Sequence, residues 1–444
     1  MLLAGSLAHC LRPAVTFPMR KKLLLAAVAA LLIALGVAAA VVLSRRPPQG
    51  ALDTALGGVT VISPSTSSAT TTSPRPKPVA RDVDRRCWKM FGGDPARTLA
   101  RPRIDLGIPG HPLWARGLKA YIEFPPVYCD GVLYVNTYRG DTWAIEARSG
   151  KVLWRRRDSA HKPSSPAIAG RYLIVSGQDG TVTALDRRDG HVVWRILVGS
   201  IIESSPAVVG GVAYFGSNDG RLFAVNASTG RIRWAYDTGG RINSSPSLWG
   251  NRICITTYAG SIFCLRASDG RKLWRTYVKR DALRYESFYA STSTDGSRLY
   301  TIARSGKVIA LKASTGEVLW TRSVNSLGYS TPAVGRDRIF VGDFRGALHA
   351  FRKTTGEELW QAEVGGGVGR ILGAPVVVGP LVFFATLEQR AYAARVSDGR
   401  IVWRFPIGKY SPGIATERAY YFSLNGILVA FPGRAAPRSA PKVR

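Results

Sequence analysis

The chain has 444 residues, 46% of them apolar and 10% aromatic, which is enough for a large core and excludes general disorder. Its formal net charge is +32, a balance that attracts polyanions such as anionic lipid or acidic wall polymer. Because the arginines are scattered with no long basic run, a solvated arginine-rich surface is the simpler interpretation, and we expect no nucleic-acid partner.

The first predicted element is a transmembrane signal-anchor helix over residues 23–43, an unbroken run of apolar residues and glycine. It is long enough to cross a bilayer and longer than the usual signal-peptide core. Basic residues flank both ends, so the positive-inside rule only weakly favours a cytoplasmic segment 1–22. Cleavage after residues 38–40 would instead release the protein. Met19 is followed by Arg-Lys-Lys like a natural start, which would make residues 1–18 an upstream mis-start.

A linker rich in Pro, Ser and Thr follows over residues 44–81, with a composition that predicts disorder. Such a tether suits a domain held outside the cell membrane by a single span. We place that domain at residues 82–433, with a lead-in at 82–110, and a basic disordered tail at 434–444.

The domain is a repeat with a period of about 40 residues, which predicts a propeller or a solenoid. From Trp154 onward each repeat tryptophan follows a glycine at one fixed interval, as Trp234 follows Gly220, with Gln389 in the glycine's place once. A proline usually precedes that glycine by the same interval, with Thr292 in its place once. The repeat tryptophans are Trp114, Trp154, Trp194, Trp234, Trp274, Trp320, Trp360 and Trp403.

Each repeat is predicted to contain four antiparallel strands. Residues 212–234 show two short apolar strands around Asn-Asp-Gly, then a Ser-Thr-Gly turn and the strand that carries Trp234. A fourth strand opens at the proline, which a first strand position tolerates. Four such strands around a ring form a propeller blade, and the many glycines exclude a helical repeat.

Ring closure can also be predicted from the two chain ends. The last repeat ends near Phe431 without a tryptophan strand, and the strand of Trp114 precedes the first full repeat. Pairing these two completes an eighth blade and removes the open edge. The predicted fold is therefore all-β, an eight-bladed β-propeller of four-stranded antiparallel blades, preceded by one transmembrane helix and a disordered linker.

The segments LFAVNASTGRIRW, VTALDRRDGHVVW and VIALKASTGEVLW resemble the repeat of the pyrroloquinoline-quinone-like (PQQ-like) propeller family. The resemblance covers about residues 111–431, and residues 87–102 are similar to the lead-in of bacterial members. It implies that each repeat tryptophan docks on the Ala-to-Gly segment of a neighbouring blade.

Five cysteines are present, and none has the C-x-x-C spacing of zinc ribbons, thioredoxin-type pairs or haem attachment. Cys254 and Cys264 fall on facing strands of one hairpin, at a separation that a disulfide accepts. Cys87 and Cys129 would then form a second bond between the lead-in and the first blade. Four buried free thiols are the alternative. The even number of cysteines after the predicted membrane helix favours two disulfides in an oxidising compartment.

Polar residues of the loops that enter the innermost strands should converge at the mouth of the axial channel. This set could bind a ligand or form an ordinary solvated rim. Its members are Glu123, His161, Lys162, Glu203, Arg241, Asn243, Glu286, Tyr289, Tyr329, Arg370 and Lys409, with Tyr410 beside the last.

The sequence is compatible with three functions. The family that it resembles includes quinoprotein dehydrogenases, in which PQQ and calcium lie over the propeller axis. Glu123 and Glu203 could ligate calcium in this chain. The short, nearly uniform repeats leave no room for their long loops, and nothing places an Asp beside these glutamates. We expect no catalytic residue, no cofactor and no metal.

The compact, membrane-tethered branch of the family predicts a protein-binding scaffold, with another envelope protein as partner. A binder of anionic wall polymer or lipid is the third possibility.

Overall fold

The computed structural model describes residues 60–62, 87–159, 161–364, 369–410 and 413–433, which form strands, turns and loops. In these ranges no helix is long and apolar enough to span a bilayer. The predicted anchor at 23–43, Cys10, Pro412, most of the linker and the tail 434–444 lie outside the described residues.

The described strands form eight antiparallel blades, which confirms the predicted propeller. Blades 1 and 2 contain β4 (Val127–Cys129), β5 (Val132–Asn136), β6 (Asp141–Glu146), β7 (Val152–Arg157), β8 (Ala167–Ala169), β9 (Tyr172–Ser176), β10 (Thr181–Asp186) and β11 (Val192–Leu197). Blades 3 and 4 contain β12 (Ala207–Val209), β13 (Val212–Gly216), β14 (Arg221–Asn226), β15 (Ile232–Asp237), β16 (Ser247–Trp249), β17 (Arg252–Thr256), β18 (Ser261–Arg266) and β19 (Lys272–Tyr277).

The second half of the ring repeats this arrangement. Blades 5 and 6 contain β20 (Ser293–Thr294), β21 (Arg298–Ile302), β22 (Lys307–Lys312), β23 (Val318–Ser323), β24 (Ala333–Val334), β25 (Arg338–Gly342), β26 (Ala347–Arg352) and β27 (Glu358–Glu363). Blades 7 and 8 contain β28 (Val376–Val378), β29 (Leu381–Thr386), β30 (Arg390–Arg395), β31 (Ile401–Phe405), β32 (Gly413–Ala415), β33 (Ala419–Leu424), β34 (Ile427–Pro432) and, from the start of the domain, β3 (Trp114–Gly117).

Blade 8 closes the ring from both ends of the domain, as the sequence predicted. Strand β3 pairs antiparallel with β34, and Trp114 lies opposite Ala430. Backbone hydrogen bonds between β3 and β34 therefore join the two ends of the domain within one blade and give blade 8 its four strands.

We call the two ends of the propeller its upper and lower faces. The upper face carries the connections from each outermost strand to the next innermost strand, and the turns between the second and third strands of each blade. Backbone hydrogen bonds join these two kinds of loop. For example, the amide of Tyr138 donates to the carbonyl of Tyr121, and the amide of Tyr258 donates to the carbonyl of Arg241. The lower face carries the remaining turns.

Neighbouring blades are joined near the lower face by the repeat tryptophans. The indole Nε1 of Trp234 donates to the carbonyl of Ala267 in the next blade at 3.0 Å, and the ring packs on Gly270. A Cβ built on Gly270, whose φ is +74°, would lie 2.8 Å from that ring. Equivalent bonds run from Trp114 to Ala147, Trp154 to Arg187, Trp194 to Ala227, Trp274 to Ala313, Trp320 to Lys353 and Trp360 to Val396.

Trp403 docks differently, because the blade it faces is the closing blade and has no tight turn between β34 and β3. Its ring meets Phe431 edge-on at 5.6 Å and Phe422 at 5.6 Å, both in blade 8. Aromatic contacts thus take the place of the glycine turn at this one junction.

Both predicted disulfides are present. Cys254 and Cys264 lie directly opposite each other on β17 and β18, and both are fully buried. Cys87 is bonded to Cys129 and fixes the lead-in to the innermost strand of blade 1.

One part of the predicted disordered linker is in fact a strand. Residues Thr60–Ile62 form β1, which pairs antiparallel with the outer edge of β11 in blade 2. An unpaired outer edge accepts further backbone hydrogen bonds, and Thr-Val-Ile is a β-branched run that suits an extended chain.

Candidate functional site

The lead-in winds around the inside of the ring. Amides of the innermost strands donate to its carbonyls in chain order, each amide standing two positions after the repeat proline or Thr292. The pairs are Tyr128 to Trp88, Ile168 to Lys89, Leu248 to Pro95, Thr294 to Ala96, Val334 to Thr98 and Val377 to Leu99. Residues Ala100–Arg101 then form β2, parallel to β28. The lead-in therefore satisfies the inward edges of six blades and fills the axial channel.

Arg97 lies at the centre of this plug and is fully buried. Its guanidinium donates to the carbonyl of Ser205 at 2.8 Å, to that of Pro246 at 2.9 Å and to that of Phe91. Burial lowers the pKa of Arg97 to about 9, so the group is still charged at neutral pH. This one side chain ties the lead-in to blades 3 and 4.

A ring of hydroxyl groups lies at the start of the innermost strands. In blades 2 to 5 the residue before the repeat proline (or before Thr292) donates its amide N–H to the hydroxyl oxygen of its counterpart one blade on. The steps are Ser165 to Ser205, Ser205 to Ser245, Ser245 to Ser291 and Ser291 to Thr331, at 2.8–3.1 Å. The recurring Ser-Ser-Pro segment thus fixes the spacing of the blades around the axis.

Above the plug, the upper face opens into a cavity of about 380 Å³ that we call the cup. Phe124 packs edge-on against Phe91 of the lead-in, so the plug lies directly beneath. The cup is lined by Tyr121, Glu123, Tyr138, Pro163, Gln178, Glu203, Tyr289, Lys409 and Tyr410. Its size is at the lower end of the range for small-molecule sites.

Two half-buried carboxylates dominate the electrostatics of the cup. Burial and, secondly, the charge of Glu203 raise the pKa of Glu123 to about 7, against the opposing charge of Lys409. Burial, together with the two glutamates, also raises the pKa of Tyr289, which keeps its hydroxyl neutral. At neutral pH Glu123 is therefore partly protonated, which reduces the negative charge of the cup.

Lys409 does not neutralise either carboxylate by direct contact. Its ammonium lies over the ring of Tyr121, 4.1 Å from the centroid, and 5.5 Å from that of Tyr410. Within the described ranges, neither Glu123 nor Glu203 has a Lys, Arg or His partner within salt-bridge distance, and Asn243 donates a hydrogen bond to Glu203.

The structure brings together four members of the predicted mouth set, Glu123, Glu203, Tyr289 and Lys409, with Tyr410. Three more lie against the cup wall. Asn243 bonds Glu203, the ring of His161 is 4.8 Å from that of Tyr138, and Tyr329 meets Tyr289 edge-on at 5.9 Å.

The other four predicted residues lie elsewhere. Lys162 is buried and paired with Asp158, and it donates to the hydroxyl of Thr142 at 2.8 Å. Burial lowers the pKa of Lys162. Three further residues do not line the cup either: Glu286 is buried against Lys307 at 3.0 Å, Arg370 pairs with Glu388 at 3.1 Å and Arg241 is exposed on the upper face.

Sequence reasoning missed Tyr121, Tyr138, Pro163 and Gln178. Tyr138 and Gln178 belong to turns between the second and third strands of a blade, whereas the predicted set comes only from the loops before the repeat prolines. The repeat itself indicates these turns as further lining, because they recur at a fixed place in each blade and lie on the same face as the connections.

Replacing Glu123 with Gln is expected to make stability less dependent on pH. The folded protein holds a proton on Glu123 up to about pH 7, whereas the ordinary pKa is 4.5, so the wild-type protein loses stability as pH rises between these values. The variant should therefore be more stable than wild type by about 1–3 kcal/mol at pH 8 and nearly equal at pH 4. Urea unfolding across this pH range measures the difference.

The matched control is Glu317→Gln, at an exposed turn position of blade 5. Its pH profile should run parallel to that of wild type. Parallel profiles for Glu123→Gln as well would show that this carboxyl titrates normally in the folded protein.

The cup does not fit PQQ with calcium. Calcium takes six to eight oxygen ligands, and the lining supplies two carboxylates and one side-chain amide. The quinone is itself a polycarboxylate, and Lys409 is the one cation that lines the cup. Within the described ranges the only triad with metal-ligand spacing is Cys87, Cys129 and Asp130, and those cysteines form a disulfide.

The fold and these junctions define a tryptophan-docked, eight-bladed propeller with a plugged axis. A family profile described as "Outer membrane protein assembly factor BamB" matches residues 85–280 and 259–418, and the chain belongs to this family. The BamB of Legionella pneumophila (strain Paris) is 26% identical over 102 residues, which cover 21% of this chain and 27% of that protein. That match therefore spans about a quarter of the relative's length.

Solved structures share the fold. BamB from Moraxella catarrhalis superposes with a TM-score of 0.61 at 16% identity, covering 74% of this chain and 99% of that one. Quinohemoprotein alcohol dehydrogenase from Comamonas testosteroni gives 0.65 at 15% identity, covering 82% and 83%. A europium-containing methanol dehydrogenase gives 0.68 at 13% identity, covering 79% and 99%.

Proposed function

We propose that this chain is a non-catalytic scaffold of the bacterial cell envelope, tethered to the membrane by its N-terminal segment, and that it binds another protein with its upper face. The observation that carries the proposal is the distribution of exposed apolar side chains. Of thirteen large exposed ones among the described residues, eight lie on the upper face: Tyr121, Tyr138, Ile201, Tyr258, Tyr277, Leu283, Tyr285 and Leu327. Such clustering on one face is typical of protein-binding surfaces.

The most prominent of these is Leu283, which is 94% exposed at the tip of the long connection between blades 4 and 5. The tip is held in shape by Asp281, whose carboxylate accepts bonds from the amides of Leu283 and Arg284 at 3.0 and 2.9 Å. At its base the rings of Tyr277 and Tyr285 are 4.9 Å apart. A preorganised apolar tip loses little conformational entropy on binding, which is how interface anchors gain affinity.

Family membership supports the same function, because the family is named for a factor in outer-membrane protein assembly. The compact repeats leave the propeller as a rigid disc with short loops, which suits presentation of a surface more than enclosure of a cofactor. The cell membrane as location, with the N-terminus cytoplasmic and the propeller outside, is part of the proposal and derives from residues 1–81.

The test is site-specific photo-cross-linking in native membranes from position 283, with position 319 as the control. Leu319 is also exposed, at 42%, but lies on the outer strand of blade 5 away from the upper face. We expect a discrete protein adduct from position 283 that is lost when Ile201 on the same face becomes Asp, and no such adduct from position 319.

Adducts of equal yield from both positions, or an adduct unaffected by Ile201→Asp, would contradict the assignment of the upper face. Binding that disappears with moderate salt would favour the anionic polymer or lipid surface instead, because exposed charges are screened within about 8–10 Å at ordinary ionic strength.

A further inference from the structure

The cup holds two carboxyl groups that have no cationic partner within salt-bridge distance among the described residues, in a protein with a large excess of Lys and Arg. The chain has 61 Lys and Arg against 29 Asp and Glu, and many of its acids are engaged by arginine, as Asp141 is by Arg155 and Arg157. Glu123 and Glu203 face each other's charge across the cup without such a partner within the described ranges. Holding two carboxylates together in a partly desolvated site is costly without a compensating cation.

The walls around these carboxylates are aromatic. Tyr121, Tyr138, Tyr289 and Tyr410 line the cup, and the ammonium of Lys409 already lies over the ring of Tyr121. The faces of aromatic rings attract ammonium and guanidinium groups, most strongly where water is partly excluded. Lys409 shows that this wall accepts an organic cation.

We propose that the cup binds a small organic cation of the ammonium or guanidinium type, held between Glu123 and Glu203 against the tyrosine rings. Such a cation takes the place of the proton that Glu123 otherwise holds. A hard metal ion is less suited, since the lining offers too few oxygen ligands for it, and an anion would meet two carboxylates. A cavity of about 380 Å³ fits one side chain or a short amine.

Binding should be linked to a proton. A cation beside Glu123 favours its ionised form, so its occupancy releases a proton at neutral pH and affinity rises between about pH 6 and pH 8. The other titratable groups that face this carboxyl are Glu203, Lys409, Tyr289 and Tyr410. The ring of His161 lies against that of Tyr138, with the ring centroids 4.8 Å apart.

The test is titration of the purified full-length chain, in mild detergent, with N-acetyl-lysine methylamide. N-acetyl-norleucine methylamide has the same aliphatic chain without the charge and is the matched control ligand. We expect the lysine compound to bind at least about tenfold more tightly than the norleucine compound, and Glu203→Gln to weaken it by about tenfold or more. Glu317→Gln, far from the cup, should change the affinity by less than about twofold.

Equal binding of the charged and uncharged compounds, no binding up to about 10 mM, or unaltered affinity in Glu203→Gln would each overturn the proposal.

A second experiment distinguishes two sources of the cation. If a partner protein supplies a Lys or Arg side chain, Glu203→Gln also reduces the cross-link from position 283. If the ligand is a free amine, putrescine binds and the cross-link is unchanged. If the protein without further substitution gives no cross-link from position 283 but binds the lysine compound, the scaffold function alone is rejected.

Discussion

Replacing Trp234 with Ala is expected to lower the free energy of unfolding by about 3–5 kcal/mol, the usual loss for a large buried aromatic side chain. Trp234 is 4% exposed, donates to the carbonyl of Ala267 and covers Gly270 of the next blade. The substitution would leave a cavity between two blades and remove one of the two hydrogen bonds that the carbonyl of Ala267 accepts, the other coming from the hydroxyl of Tyr214 at 3.1 Å. Equilibrium urea unfolding of the full-length chain measures the change.

Trp403 provides a control that separates the hydrogen bond from the ring contacts. It contacts phenylalanine rings of blade 8, whereas Trp234 also bonds a backbone carbonyl. Trp234→Phe should therefore cost about 1 kcal/mol more than Trp403→Phe, the typical net contribution of one hydrogen bond. A loss below about 1 kcal/mol for Trp234→Ala would show that these tryptophans do not join the blades.

Replacing Arg97 with Met is expected to cost about 3–5 kcal/mol, because it leaves the carbonyls of Ser205, Pro246 and Phe91 buried without a donor. The lead-in should also loosen from the inner strands. Hydrogen exchange at the amides of Leu248 and Thr294, which donate to the lead-in, should then become faster.

Arg103→Met is the matched control, since Arg103 is an exposed arginine of the same lead-in, two residues after the end of β2. It should change stability by less than about 0.5 kcal/mol. If Arg97→Met behaves like this control in both unfolding and exchange, the plug is held by its backbone bonds and the disulfide alone.

The repeat was visible in the sequence even where individual residues departed from it. Gln389 stands where the other repeats have glycine, and it adopts a positive φ of 63° as the turn requires. The turn geometry is imposed by two paired strands, so a single unfavourable residue is tolerated. For the same reason the hairpin position of Cys254 and Cys264 could be predicted from register alone.

The position of the lead-in inside the ring could not be predicted from the sequence. The sequence shows its resemblance to other lead-ins but does not predict its course through the channel. The bonds that fix that course are made by backbone carbonyls, which every residue carries and no sequence pattern marks. Arg97 is likewise one of 61 basic residues, and only its position at the axis distinguishes it.

The number of blades, the docking tryptophans, the closure and both disulfides could all be predicted from the sequence, because each depends on spacing within or between regular strands. Which side chains share the cup depends instead on how the blades pack. Loop residues on different blades meet there: Glu123 and Glu203, three positions before their repeat prolines, line the cup, whereas Lys162, four positions before its proline, is buried against Asp158. Strand periodicity does not extend into loops, so the direction of a loop side chain is set by contacts between blades.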